Sequence, residues 1–169
     1  MNTEHGRDRD TAGRARNARP RDELGRPLPR SATQDVPRVP DDLVIAPGEA
    51  AELGGRLLAE GRPFHAHEVF EAVWKSIPGQ ERELWRGLAQ IAVGLTHARR
   101  GNASGAIALL SRGADRVAEF PNTVPDTGTT DEVDPAYVAE QATGLALRIE
   151  RDGLASVPEA DLRLKLKAG

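Results

Sequence analysis

The sequence predicts an all-α protein: a single domain over residues 43–169, built as a compact bundle of about five helices, behind a disordered Arg- and Pro-rich tail over residues 1–42. Three observations carry this. Apolar residues recur three and four positions apart from Leu53 to Ile149, the period of a helix with one buried face. No segment alternates convincingly between apolar and polar in the manner of a half-buried strand. Residues 1–40 hold nine Arg, six acidic residues and five Pro, but none of the six aromatics, which all lie between Phe64 and Tyr137. A segment with so little to bury cannot offset an ordering cost of roughly 1–2 kcal/mol per residue.

The helices follow from their punctuation. The first is expected from about Pro47 to Glu60, with Pro47 in its first turn, Leu53 and Leu57 repeating at four, and Gly61 ending it. The second runs from Pro63 or Phe64 to about Ile77, stopped by Pro78-Gly79. The third spans about Gln80 to Arg100. Two Arg sit at its negative pole, and Gly101 follows. Asn102 caps the fourth, which reaches about Phe120 with Ala106, Leu109, Gly113, Val117 and Phe120 on one stripe. Residues 121–133 are rich in Pro, Thr and Asp and read as a loop. Asp134-Pro135 opens the fifth helix, with Val138, Ala142, Leu145 and Ile149 along its inner face. The third helix carries Leu84, Leu88, Ile91 and Leu95 on one face and Trp85, Ala89 and Ala92 beside them, which places it at the centre of the bundle. Gly87 and Gly94 each cost about 1 kcal/mol in a helix interior, and a closely approaching neighbour is the expected compensation.

Composition removes several functions. There is no Cys, so disulfides and thiolate chemistry are excluded. The longest uncharged stretch of the most apolar segment, Gly87 to Thr96, is half the roughly 20 residues that a spanning helix needs. The polar N-terminus lacks the apolar core of a secretory signal, which predicts a cytoplasmic protein. A net charge of −3 lacks the basic excess usual for duplex binding, so nucleic acid is not the expected partner; a small molecule, another protein or a second copy of the chain is. No phosphate-binding loop, dinucleotide fingerprint or serine nucleophile motif is present.

Polar residues on the second and third helices attract attention. With His67 at zero and about 100° per residue, Glu71 falls near +40°, Trp74 near −20°, Phe64 near +60° and Phe70 near −60°. His67 and Glu71 therefore lie within the stripe that the aromatics mark, with Glu68 on its flank. His65, about 160° away, is expected in solvent. On the third helix Arg86, Gln90, Val93 and His97 form one narrow line. If the two faces meet, His67, Glu68, Glu71, Trp74, Arg86, Gln90 and His97 make one polar pocket. Three readings fit it. A closed hydrogen-bond network, Glu71 to Arg86 and His67 to Gln90, would fix helix register. A small-molecule or anion pocket would use Arg86 and the histidines as donors. A divalent metal site would take His67, Glu71 and His97 as ligands, although helical di-metal proteins use about four Glu and two His.

The run Phe64-His65-Ala66-His67-Glu68-Val69-Phe70-Glu71-Ala72-Val73-Trp74 resembles the F-x-x-H-E-x-x-E-x-x-W signature of an uncharacterised bacterial and archaeal family, domain of unknown function family 309. Gly87-Leu88-Ala89-Gln90-Ile91-Ala92, His97 and Gly101-Asn102-Ala103-Ser104-Gly105-Ala106 are similar to its second block. The resemblance covers about residues 50–120. It implies a helical fold with recurrent polar positions at His67, Glu68, Glu71, Trp74, Gln90 and His97, and it brings no reaction. Arg86 and Thr96 depart from the family's pattern, which favours Gln and an aromatic there.

The expected function is a non-catalytic binding or interaction module with an inward-facing His/Glu/Gln cluster. The Gly101-Asn102 corner is similar to that of tetratricopeptide hairpins, without a 34-residue repeat. The competing reading is a metal-dependent hydrolase that uses His67, Glu71 and His97, with Glu68 as general base for a bound water.

Overall fold

A computed structural model describes residues 39–40, 42–120 and 131–169. Almost all of the expected tail, with His5 in it, and most of the expected loop over 121–133 lie outside the described residues. Five helices account for the core: α1 (Pro47–Ala59), α2 (Pro63–Ser76), α3 (Gln80–Arg99), α4 (Ala103–Ala118) and α5 (Pro135–Asp152). There is no strand among the described residues. Proline opens α1, α2 and α5, where its missing N–H costs nothing. Asn102 caps α4 by accepting from Gly105 N at 3.0 Å, and Asp134 caps α5 by accepting from Tyr137 N at 3.0 Å.

Each helix packs chiefly on its neighbours in sequence, α1 on α2, α2 on α3, α3 on α4, and α4 on α5. Leu84, Trp85, Leu88, Ile91, Ala92 and Leu95 are all buried, so α3 occupies the central place that its broad apolar surface predicts. The α3–α4 crossing is the tightest. A Cβ on Gly113 would stand 2.8 Å from the Gly87 carbonyl oxygen and 2.9 Å from Ile91 N, and one on Gly94 would meet Leu110 N at 3.0 Å. Two backbones touch where side chains would otherwise separate them. This is the compensation for glycine inside a helix. The connecting corner is closed by Gly101 (φ +79°), with Asn102 N donating to His97 O at 2.9 Å, a Schellman stop that only a residue tolerant of left-handed backbone makes cheaply. On α4 the buried leucine is Leu110, one position on from the expected Leu109, because the seam is set by the glycine at 94.

The segment after α5 is longer and better anchored than its polarity suggests. Two 3-10 turns, Leu154–Ser156 and Glu159–Leu162, are followed by an irregular stretch; Leu162 at the end of the second turn, Leu164 and Leu166 are buried while Arg163, Lys165 and Lys167 are exposed. This alternation is the period of extended chain. It pairs with no strand. Instead the Gln141 side-chain amide takes the place of a neighbouring strand, its Nε2 donating to Lys165 O at 2.8 Å and its Oε1 accepting from Lys165 N at 3.2 Å. Among the described residues no helix is long and apolar enough to cross a membrane.

Candidate functional site

The face that α2 turns inward differs from the expected one. Ala66, Val69, Phe70 and Val73 are fully buried, and on the same wheel they centre about 120° from His67. Phe64 and Trp74, which mark the expected stripe, are only half-buried. Because α2 is covered by α1 on one side and α3 on the other, its buried arc is wide enough to take in His65, which is 2% exposed rather than solvated. His67 and Glu71 sit at the rim of that arc, with side chains 23% and 31% exposed. Glu68 is half-buried beside them.

At this rim His67 Nε2 lies 3.2 Å from Glu71 Oε2, and Lys75 Nζ lies 2.8 Å from Glu71 Oε1. The i, i+4 spacing makes both pairs local to one helix face. Burial is the largest influence on His67 and lowers its pKa; the Glu71 carboxylate opposes it, Lys75 adds to the lowering, and a hydrogen bond with the Phe64 backbone opposes it. The net direction is down, which favours the neutral imidazole. The Phe64 ring lies 5.8 Å from the imidazole and shields one side of it.

Next along the rim is Trp74. Its indole N–H is buried and meets no hydrogen-bond acceptor among the described residues. Two guanidinium groups from α3 lie over the ring, Arg82 at 5.4 Å and Arg86 at 5.7 Å from its centre. Arg82 Nε also donates to the Trp74 carbonyl at 3.2 Å, which satisfies a carbonyl near the end of α2. Arg86, 44% exposed, reaches Glu83 only at 3.9 Å.

The expected single pocket is therefore divided. The pairs Glu71–Arg86 and His67–Gln90 are not formed, because Glu71 is taken by His67 and Lys75, and Gln90 faces α4. There Gln90 Oε1 accepts from Arg116 Nε at 3.2 Å, while Arg116 also pairs closely with Glu83. His97 belongs to the α3–α4 corner. Asn102 already accepts from Gly105 N and Ser104 Oγ through Oδ1, so its Nδ2 is the donor to His97 Nδ1 at 3.1 Å. His97 is thereby the acceptor through Nδ1 and carries its proton on Nε2. Arg86, Gln90, Val93 and His97 do form one line, but it is the least buried line of α3. Among the described residues no three His, Asp or Glu side chains gather closely enough to hold a metal ion, so His67 and Glu71 meet while His97 stands apart in another network. Thr96 is buried and donates to the Ala92 carbonyl at 2.9 Å, satisfied within its own helix.

Arg82, Lys75, Glu83 and Arg116 escaped the sequence reading. The Glu71–Lys75 spacing on one helix was the available signal for Lys75; the others join residues eight to 33 positions apart, and no local pattern announces them.

The fold and these half-buried networks define a helical domain whose polar residues are divided among separate rims of α2, α3 and α4. Residues 52–109 match the family model described as Domain of unknown function (DUF309), a span that holds His67, Glu71, Trp74, Gln90 and His97. Over 66 residues the chain is 36% identical to "Uncharacterized protein YpuF" of Bacillus subtilis (strain 168). That alignment takes in 38% of this chain and 38% of the relative, well under two thirds of its length. No solved structure matches.

Proposed function

We propose that this protein is a non-catalytic interaction module, and that the α2–α3 rim around Trp74 binds an anionic segment of a protein partner. The observation that carries the reading is the stacking of Arg82 and Arg86 over one half-buried indole. A guanidinium held against an aromatic face has lost much of its rotamer freedom while keeping donors directed outward, which suits planar carboxylates. Lys75, 65% exposed, adds a third cation at the same edge. Trp74 supplies the apolar floor, as aromatic and Arg anchors do at interfaces generally.

The test uses poly-L-glutamate as probe and tryptophan fluorescence as readout. Trp85 is fully buried, so the response reports on Trp74. Saturable binding at low salt is expected, weakening as salt screens it. The double variant Arg82→Gln/Arg86→Gln should lose about 1.4 kcal/mol or more of binding, a tenfold rise in Kd. Equal binding by the double variant, or none by the wild type at low salt, would refute the reading.

A further inference from the structure

We infer that the indole N–H of Trp74 is the group by which the rim selects its partner, and that it donates to a carboxylate carried on a side chain with the reach of glutamate rather than aspartate. The inference rests on the reading of this rim as an anion-binding surface and names the atom that gives the surface its selectivity.

The two tryptophans of the chain are held differently. Trp85 is fully buried, and its Nε1 donates to Glu81 Oε1 at 3.4 Å. Trp74 is half-buried as a residue, yet its Nε1 is shut off from solvent and has no acceptor among the described residues. A buried donor left unmet is costly in the free protein, and a ligand that brings an acceptor removes that cost. The carboxylates closest to it in sequence are engaged elsewhere. Glu71, one turn earlier on α2, is held by His67 Nε2 and Lys75 Nζ. Glu83, next to Arg82 on α3, pairs with Arg116 and lies 3.9 Å from Arg86. The acceptor is thus left for a partner to supply.

The two guanidinium groups over the ring are not equally anchored. Arg82, 5.4 Å from the ring centre, is tied to α2 by its Nε, which donates to the Trp74 carbonyl. Arg86, at 5.7 Å, is 44% exposed and has only the long contact with Glu83. Arg86 is therefore the one that can turn outward and pair with an incoming carboxylate while Arg82 keeps its place. Attraction to Arg82, Arg86 and Lys75 acts on any carboxylate that comes near, so these cations draw aspartate and glutamate alike. The indole N–H is buried, so reaching it takes length. A glutamate carries its carboxylate one methylene further from its backbone, and the hydrogen bond to Trp74 is added for glutamate alone.

The test compares fluorescein-labelled poly-L-glutamate with poly-L-aspartate of the same length, both fully ionised at neutral pH, by anisotropy at low salt. The wild-type chain should bind the glutamate polymer about tenfold more tightly, the effect of one hydrogen bond to a charged acceptor. Trp74→Phe keeps an aromatic face for the guanidinium groups and removes the N–H, so its affinities for the two polymers should agree within a factor of about two. Weaker stacking in that variant lowers both affinities together and leaves their ratio as the readout. A wild-type chain that binds the two polymers equally, or prefers aspartate, would overturn the inference and leave the anion-binding reading standing. A preference for glutamate that survives in Trp74→Phe would overturn it as well. Binding of neither polymer by the wild type would refute the anion-binding reading itself, and the inference with it.

Discussion

Replacing Gly113 by Ala separates close helix packing from helix propensity. Propensity alone favours Ala over Gly by about 1 kcal/mol in a helix interior. Here the new Cβ would fall 2.6 Å from Ile91 Cγ1, 2.8 Å from Gly87 O and 2.9 Å from Ile91 N. Two of these three atoms are backbone, so no rotamer change relieves the clash and α4 must move off α3. Overpacking of this kind costs about 3 kcal/mol at the upper end of its usual range. The net loss is about 2 kcal/mol, or roughly 8 °C in Tm for a domain of this size. Gly144 on α5 is the control, because its Cβ would meet nothing within 4 Å. Gly144→Ala should gain up to about 1 kcal/mol and melt roughly 4 °C higher. Thermal melts followed by circular dichroism, with urea titrations to check that m is unchanged, decide the matter. Gly113→Ala melting at or above the wild type would refute the contact argument.

Three other outcomes are expected. Since the folded-state pKa of His67 lies below its ordinary 6.5, the unfolded chain binds the extra proton first; this contribution is complete above pH 6.5 and is lost as pH falls through the folded value, with a slope of at most about 1.4 kcal/mol per pH unit. His67→Gln should flatten that part of the stability–pH curve measured by urea unfolding, and an unchanged curve would remove His67 as its source. Asn102→Ala deletes the α4 cap and the donor to His97, and should cost about 1 kcal/mol in equilibrium unfolding. Gln141→Ala removes both hydrogen bonds to Lys165 and should cost about 1 kcal/mol while raising hydrogen exchange in residues 162–167 ahead of the helices; uniform change across the domain would instead place the C-terminal segment in the cooperative core.

The helices were legible because their ends are written locally. Pro47, Pro63 and Pro135 start three of them, Gly61 and Gly101 stop two, and the boundaries that the sequence predicts fall within a residue or two of those observed. The site was less legible, for a geometric reason. A helical wheel fixes angles between residues of one helix but not where the wheel points. Phe64 and Trp74 suggested an origin, while the true inner face of α2 is made by the smaller Ala66, Val69 and Val73 with Phe70. The error carried His67 from the rim to the interior and His65 from the interior to solvent. The short alternation Leu162, Leu164, Leu166 went unread, and its partner, a side-chain amide on α5, has no local pattern to be read from.

The division of the expected pocket also bears on the proposed function. Most of its polar groups have structural work that needs no ligand. His97 with Asn102 closes the corner into α4, and Gln90 with Arg116 and Glu83 struts α3 against α4. His67 Nε2 and Lys75 Nζ both lie on the Glu71 carboxylate along α2. Trp74 with Arg82 and Arg86 is different. One guanidinium suffices to donate to the Trp74 carbonyl, yet two lie over the ring, and the buried indole N–H has no acceptor among the described residues. An unmet buried donor costs about 1–3 kcal/mol, which a helix rim avoids by turning the donor to water or filling it with a partner. The proposed interaction surface accordingly rests on the two cations held over the Trp74 ring rather than on the histidines.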